Sequence, residues 1–171
     1  MNKYVLIFLT LIVSVPVFAQ DRNLATYEPG SRAQTAFMEL LGPGISYSFN
    51  YDTRFQDTRN GLGGRAGIGY FAVDHNSMLS VPVMVNYLLG KDGKYFEMGL
   101  GATYLSFNSQ ESAESNQILF IESSGVVGTS VFGYRRQPVD GGFLFRAGIS
   151  PIFGRGNFIP YFGYISFGYA F

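Results

Sequence analysis

The sequence predicts an all-β fold, an eight-stranded antiparallel barrel with its apolar face turned outward. Three observations carry that expectation. From Ala33 onward large apolar residues alternate with small or polar ones at period two, the signature of strands with two unlike faces. Aromatic residues make up 17% of the chain and charged residues 14%, against about 25% charged in an ordinary soluble domain. In the last strand the face opposite the large residues shrinks to Ser166, Gly168 and Ala170. A soluble sandwich usually carries charge on that second face, whereas small uncharged residues suit the crowded interior of a narrow closed barrel. The large face then meets lipid.

The N-terminus reads as a secretory signal. Asn2 and Lys3 form a short basic start, Tyr4 to Val13 an apolar stretch, and Val17-Phe18-Ala19 a cleavage site, so the signal spans residues 1–19. The apolar stretch is too short for a membrane anchor and no stop-transfer charges follow it. Residues 20–32 are polar and aperiodic, a flexible lead-in to a barrel over 33–171. The sequence has no cysteine, which excludes a disulfide framework and a lipid-modified cysteine. Of 12 basic residues the signal removes Lys3, leaving 11 against 12 acidic, a balance of about −1 that argues against nucleic-acid binding.

Along the chain the strands are expected at 33–41, 45–55, 62–73, 78–89, 95–107, 124–136, 142–153 and 160–171. In 45–55 Ile45, Tyr47, Phe49 and Tyr51 face one way and Ser46, Ser48, Asn50 and Asp52 the other. Leu79, Val81, Val83, Val85, Tyr87 and Leu89 make the clearest outward row, and Phe96, Met98, Leu100, Ala102 and Tyr104 the next. Strands of about 9–11 residues suit a tilted bilayer crossing. Seven of these segments are strong, and single-chain bacterial barrels are even-numbered. The eighth comes either from Gln117 to Glu122, with 36–55 as one long strand, or from Ala33 to Leu41 turning at Gly42-Pro43-Gly44. The second choice is preferred, because it keeps the Asp-Gly turn at Asp92-Gly93 and the tight segment Pro138 to Gly142 on the short-turn side. It also puts the long segment 108–123 on the opposite side. Pro82 and Pro151 each remove a ladder donor and require a bulge or break, while Pro160 is expected at a strand start.

Several motifs resemble one family. Glu39 to Gly44, Tyr47 to Tyr51, Ser80 to Val83, Asn86 to Gly90 and Gly99 to Tyr104 are similar to small outer-membrane β-barrel proteins of Gram-negative bacteria, especially the short barrels of Bacteroidota. Gly133 to Arg135, Gln137-Pro138, Gly141 to Phe143, Arg146 to Gly148 and the terminal Ser166 to Phe171 carry the likeness furthest. The resemblance covers roughly residues 33–171. It implies an outer-membrane location after cleavage near Ala19, a monomer surrounded by outer-membrane lipids, and insertion by the barrel-assembly machinery. Tyr169 and Phe171 are then the insertion signal, although a terminal aromatic is also an ordinary interfacial girdle residue.

Strand parity places Arg65, Glu97 and Arg146 inside the barrel, with Glu39, Asp52 and Arg135 as further members. Eight strands leave an interior just filled by side chains, so these charges are expected to pair in a plugging network rather than line a channel. Arg135 points inward in this reading and its neighbour Arg136 outward, as a contact to lipid head groups or equally as an ordinary snorkelling residue of the interface.

Nothing in the chain points to catalysis. His75 is the single histidine, and His75-x-Ser77 echoes the spacing of outer-membrane lipid A deacylases. The pair falls in a hairpin loop rather than on a lipid-facing strand, with no carboxylate placed to orient the base. Glycine-rich pieces such as Gly61 to Gly64 precede no helix and are not phosphate loops. One histidine and no cysteine argue against a transition-metal site, and Asp52 with Asp57 or Glu111 with Glu114 read as solvated loop carboxylates. No cofactor is expected. The leading function class is a non-enzymatic membrane barrel, structural or partner-binding through 108–123. Two others stand beside it: a binder of a small apolar molecule entering near Pro82 or Pro151, and a lipid A hydrolase built on His75 and Ser77.

Overall fold

The computed structural model describes residues 32–73, 76–108, 124–154 and 157–171. The signal segment, the lead-in before Arg32, His75 and the segment 109–123 lie outside the described residues. Strands β1 (Gln34–Leu41), β2 (Tyr47–Arg54), β3 (Gly61–Val73), β4 (Asn76–Lys91), β5 (Lys94–Asn108) and β6 (Ser124–Arg136) pair antiparallel in chain order. β7 (Gly142–Ile149) and β8 (Ile152–Gly154) both pair with β6 and keep one register across the gap, so they are two halves of a seventh stave. β9 (Asn157–Ile159) and β10 (Gly163–Ala170) make the eighth, and β10 pairs with β7 and β1 to close the barrel. Closure of β10 on β1 pairs both edges of the sheet over the length of β1. Leu40 pairs with Tyr47 across the Gly42–Gly44 turn, so 36–55 is two strands and not one.

The alternation seen in the sequence is inside-out relative to a soluble domain. Among the described residues the buried set holds 13 hydrophobic and 18 polar or charged side chains, so the interior is mainly polar. The large apolar side chains stand outside, as with Phe49, Ile68, Val83, Leu100, Val126 and Phe143. On β4 the outward row runs from Leu79 to Leu89. That is about 33 Å along a strand, or about 25 Å across a bilayer at a tilt of about 40°.

The prolines sit where the ladders yield. Pro82 pairs with Thr103 on β5, while the β3–β4 ladder is interrupted beside it, between Ala66↔Val83 and Gly69↔Ser80. Pro151 lies in the gap between β7 and β8, which two hydrogen bonds bridge, Ser130 N to Pro151 O at 3.0 Å and Ser150 N to Phe162 O at 2.5 Å. Pro160 is not at a strand start: its stave begins earlier, at Asn157. Ser150 and Pro151 on one side face Pro160, Tyr161 and Phe162 on the other, so the extra residue forms a bulge there.

The Gly42–Gly44 turn folds inward. It forms a single 3₁₀ turn buried in the mouth of the barrel opposite the C-terminus, called the far end below. Thr103 Oγ1 on β5 donates to Pro43 O at 2.7 Å across the lumen. Gly42 has φ +65°, and the flanking Leu41 and Ile45 also take positive φ, 61° and 71°. Beyond this turn the interior is apolar, with Met78, Leu105, Val127 and Ile152 packed together against Ile45, Phe107 and Phe162.

Candidate functional site

The interior toward the end that holds the C-terminus is occupied by charge. Asp52 and Arg54 project from β2, Glu39 from β1, Arg65 from β3, Glu97 from β5, Arg135 from β6 and Arg146 from β7, all at 2% exposure or less. Four of the seven are guanidinium groups and three are carboxylates. Their contacts form one alternating line. Arg54 Nη2 meets Asp52 Oδ1 at 2.5 Å, and Arg135 Nη2 meets the same oxygen at 3.0 Å. Arg135 Nη1 lies 3.7 Å from Glu97 Oε2, which Arg146 Nε reaches at 2.8 Å. Arg146 Nη1 meets Glu39 Oε2 at 2.9 Å, and Glu39 Oε1 accepts from Arg65. The order is thus Arg54, Asp52, Arg135, Glu97, Arg146, Glu39, Arg65, with every carboxylate held between two arginines.

Neutral groups add hydrogen bonds to the ion pairs, while Arg54 Nε and Arg135 Nη1 are left without a hydrogen-bond partner. Asn86 on β4 donates to Asp52 and to Glu97 Oε1, the latter at 3.0 Å, and accepts from Arg54 Nη2 at 2.7 Å. Asn50 Oδ1 accepts from Arg65 Nε at 3.0 Å, and Ser166 Oγ on β10 donates to Glu39 Oε2 at 3.1 Å. Arg135 donates to Gln137 Oε1 at 2.8 Å and to Thr35 Oγ1 at 2.9 Å. With Asn86 and Ser166 included, every one of the eight staves contributes a side chain. Arg146 and Arg65 also lie over the Phe37 ring, 4.4 and 5.0 Å from its centroid, within the range of cation–π attraction.

Buried ions cost several kcal/mol each when left unpaired, and here each of the three carboxylates is shared by two arginines. Glycine makes the room. A Cβ on Gly63 would collide with the Arg54 guanidinium, and one on Gly67 with the Asn50 amide. The six charges singled out in the sequence are brought together here. Arg54 and Asn86 were not singled out, although both continue an inward parity, Arg54 two residues after Asp52 and Asn86 two before Leu88. Asp52 is fully buried, which corrects its reading as a solvated loop carboxylate. Asp57 is apart from it, exposed and 3.4 Å from Arg32 Nε.

Among the described residues the other candidates form no site. Ser77 sits half-buried at the far end, paired with Asn108, and His75 lies outside the described residues, as do Glu111 and Glu114. No group of three metal-ligating residues occurs among the described residues. The wall beside Pro82 is backed by the inward turn, and the break at Pro151 is bridged by the hydrogen bonds given above. Tyr169 and Phe171 stand on the outer wall, and Phe171 exchanges backbone hydrogen bonds with Gln34, N to O at 3.0 Å and O from N at 3.3 Å.

No family model and no curated protein matches the chain. Among solved structures, the N-terminal β-barrel domain of Pseudomonas aeruginosa OprF aligns at a TM-score of 0.56 and 13% identity, over 83% of this chain and 98% of that one. The Yersinia pestis outer-membrane protein Ail, solved in a phospholipid bilayer nanodisc, aligns over the same shares at a TM-score of 0.49 and 12% identity. The likeness to the OprF domain is one of fold.

Proposed function

We propose that the chain is an integral outer-membrane barrel that works without catalysis, as a structural or partner-binding element. The observation that carries this is the inversion of the barrel: ion-paired polar groups inside, an apolar band about 25 Å tall outside. Water cannot solvate such a band at tolerable cost, whereas lipid can. The fold shared with the OprF domain and the motifs similar to short Bacteroidota barrels support the same address. Outer-membrane lipids are then its surroundings and a monomer its state. Tyr169 and Phe171 are the segment read by the barrel-assembly machinery. Partner binding through 108–123 rests on sequence alone.

The paired line supports reading this barrel as sealed rather than as a pore. Reconstitution of the purified chain in a planar bilayer is the test. The expected record is silent at physiological salt. Discrete openings that scale with salt concentration would replace the structural reading by a transport one.

A further inference from the structure

Among the described residues, the outward faces of the strands carry three charges, and all three are cationic. Lys91 ends β4, Lys94 begins β5 and Arg136 ends β6. They are exposed and stand side by side, Lys91 paired with Lys94 and Lys94 paired with Arg136 in the ladder registers. Like charges directly opposite on neighbouring strands destabilise a sheet, and no carboxylate forms an ion pair with any of the three among the described residues. The nearest acids in the chain, Asp92 and Asp140, lie in the turns. At the next outward positions along the wall, two residues on, come Leu89, Phe96 and Tyr134, then Tyr87, Met98 and Phe132, an uninterrupted apolar surface in the same registers.

We propose that Lys91, Lys94 and Arg136 form a binding site for the phosphodiester head group of one anionic phospholipid, whose acyl chains lie along that apolar surface. The inference rests on the membrane reading above. Neighbouring strands are about 4.8 Å apart, so three adjacent cations span about 10 Å, the size of one head group. A phosphodiester set between them removes the mutual repulsion that the sheet otherwise bears. The aromatic residues beneath, Tyr134 and Tyr87, belong to the head-group level of a membrane wall. Among the described residues the other outer faces of the strands carry no charge, so the site is local to these three staves.

The test is native mass spectrometry of the full chain released from detergent, with dioleoyl phosphatidylglycerol or dioleoyl phosphatidylethanolamine added, beside the variant K91Q/K94Q/R136Q. The expected result is a preference of about tenfold for the anionic lipid, reduced to about twofold or less in the variant. The preference of the unaltered chain should also fall as salt is raised, a readout that does not depend on the variant folding. A preference unchanged by the substitutions, or insensitive to salt, overturns the site. Displacement of the lipid by equimolar glycerol 3-phosphate overturns the lipid as occupant. A heat-modifiable protein that binds both lipids alike refutes this site alone, whereas loss of heat modifiability refutes the membrane reading with it.

Discussion

Arg146 holds Glu97 through two parallel hydrogen bonds, Nε to Oε2 and Nη2 to Oε1, both at 2.8 Å. This fork joins β7 to β5 across the lumen and sits at the centre of the alternating line of charges. Its geometry is that of the strongest protein ion pairs, and both partners are fully buried.

Replacing Glu97 leaves Arg135 and Arg146 short of a counter-ion in the barrel interior. Glu97→Leu is therefore expected to lower stability by about 3–5 kcal/mol, the usual cost of breaking a buried pair from one side. The urea midpoint of the refolded barrel in detergent reads this directly. Conductance should stay absent. An unchanged midpoint would remove Glu97 from the network.

Position along the line sets the ranking. Arg54 stands at one end, and its partner Asp52 keeps Arg135 when Arg54 is lost. Arg54→Gln should then cost about 1–2 kcal/mol, well below Glu97→Leu. Equal losses for the two variants would mean that the charges act as independent pairs and not as a line.

Phe37 lies beneath two guanidinium groups at once. Phe37→Leu keeps an apolar side chain but removes the ring, with an expected loss of about 2 kcal/mol for desolvated cation–π contacts. Phe49→Leu on the outer wall is the control and should change the detergent-solubilised midpoint little. If both variants lose the same amount, the ring contributes by volume alone.

Much of this was legible in the sequence because a strand has a strict period of two. Parity alone assigns Leu79 to Leu89 to the outer wall and Arg65 to the lumen. Parity also covered Arg54, but a side chain at a strand end carries no signal that separates lumen from loop. What parity does not hold is which charge meets which. Glu39 and Arg146 are 107 residues apart, and their contact follows from closure of β10 on β1. The direction of the Gly42–Gly44 turn was equally hidden. Its glycines and proline announce a tight turn, but its inward fold depends on Thr103 and the walls it meets. The bulge opposite Pro151 is likewise a property of two staves together.

That turn stores strain at Leu41, an exposed residue without glycine's freedom held at φ 61°. Leu41→Gly relieves the strain while removing little packing. It is expected to raise stability by about 1 kcal/mol, the backbone relief exceeding the entropy that glycine adds to the unfolded chain. A lower urea midpoint would show instead that the Leu41 side chain anchors the turn.

The most direct test of the account is a heat-modifiability gel run on separated membrane fractions. A closed barrel held by its strand ladders and a buried ion network resists detergent until boiled. The account predicts a band in the outer-membrane fraction whose mobility changes on boiling. Protein released with the soluble periplasm, with one mobility before and after boiling, would contradict it.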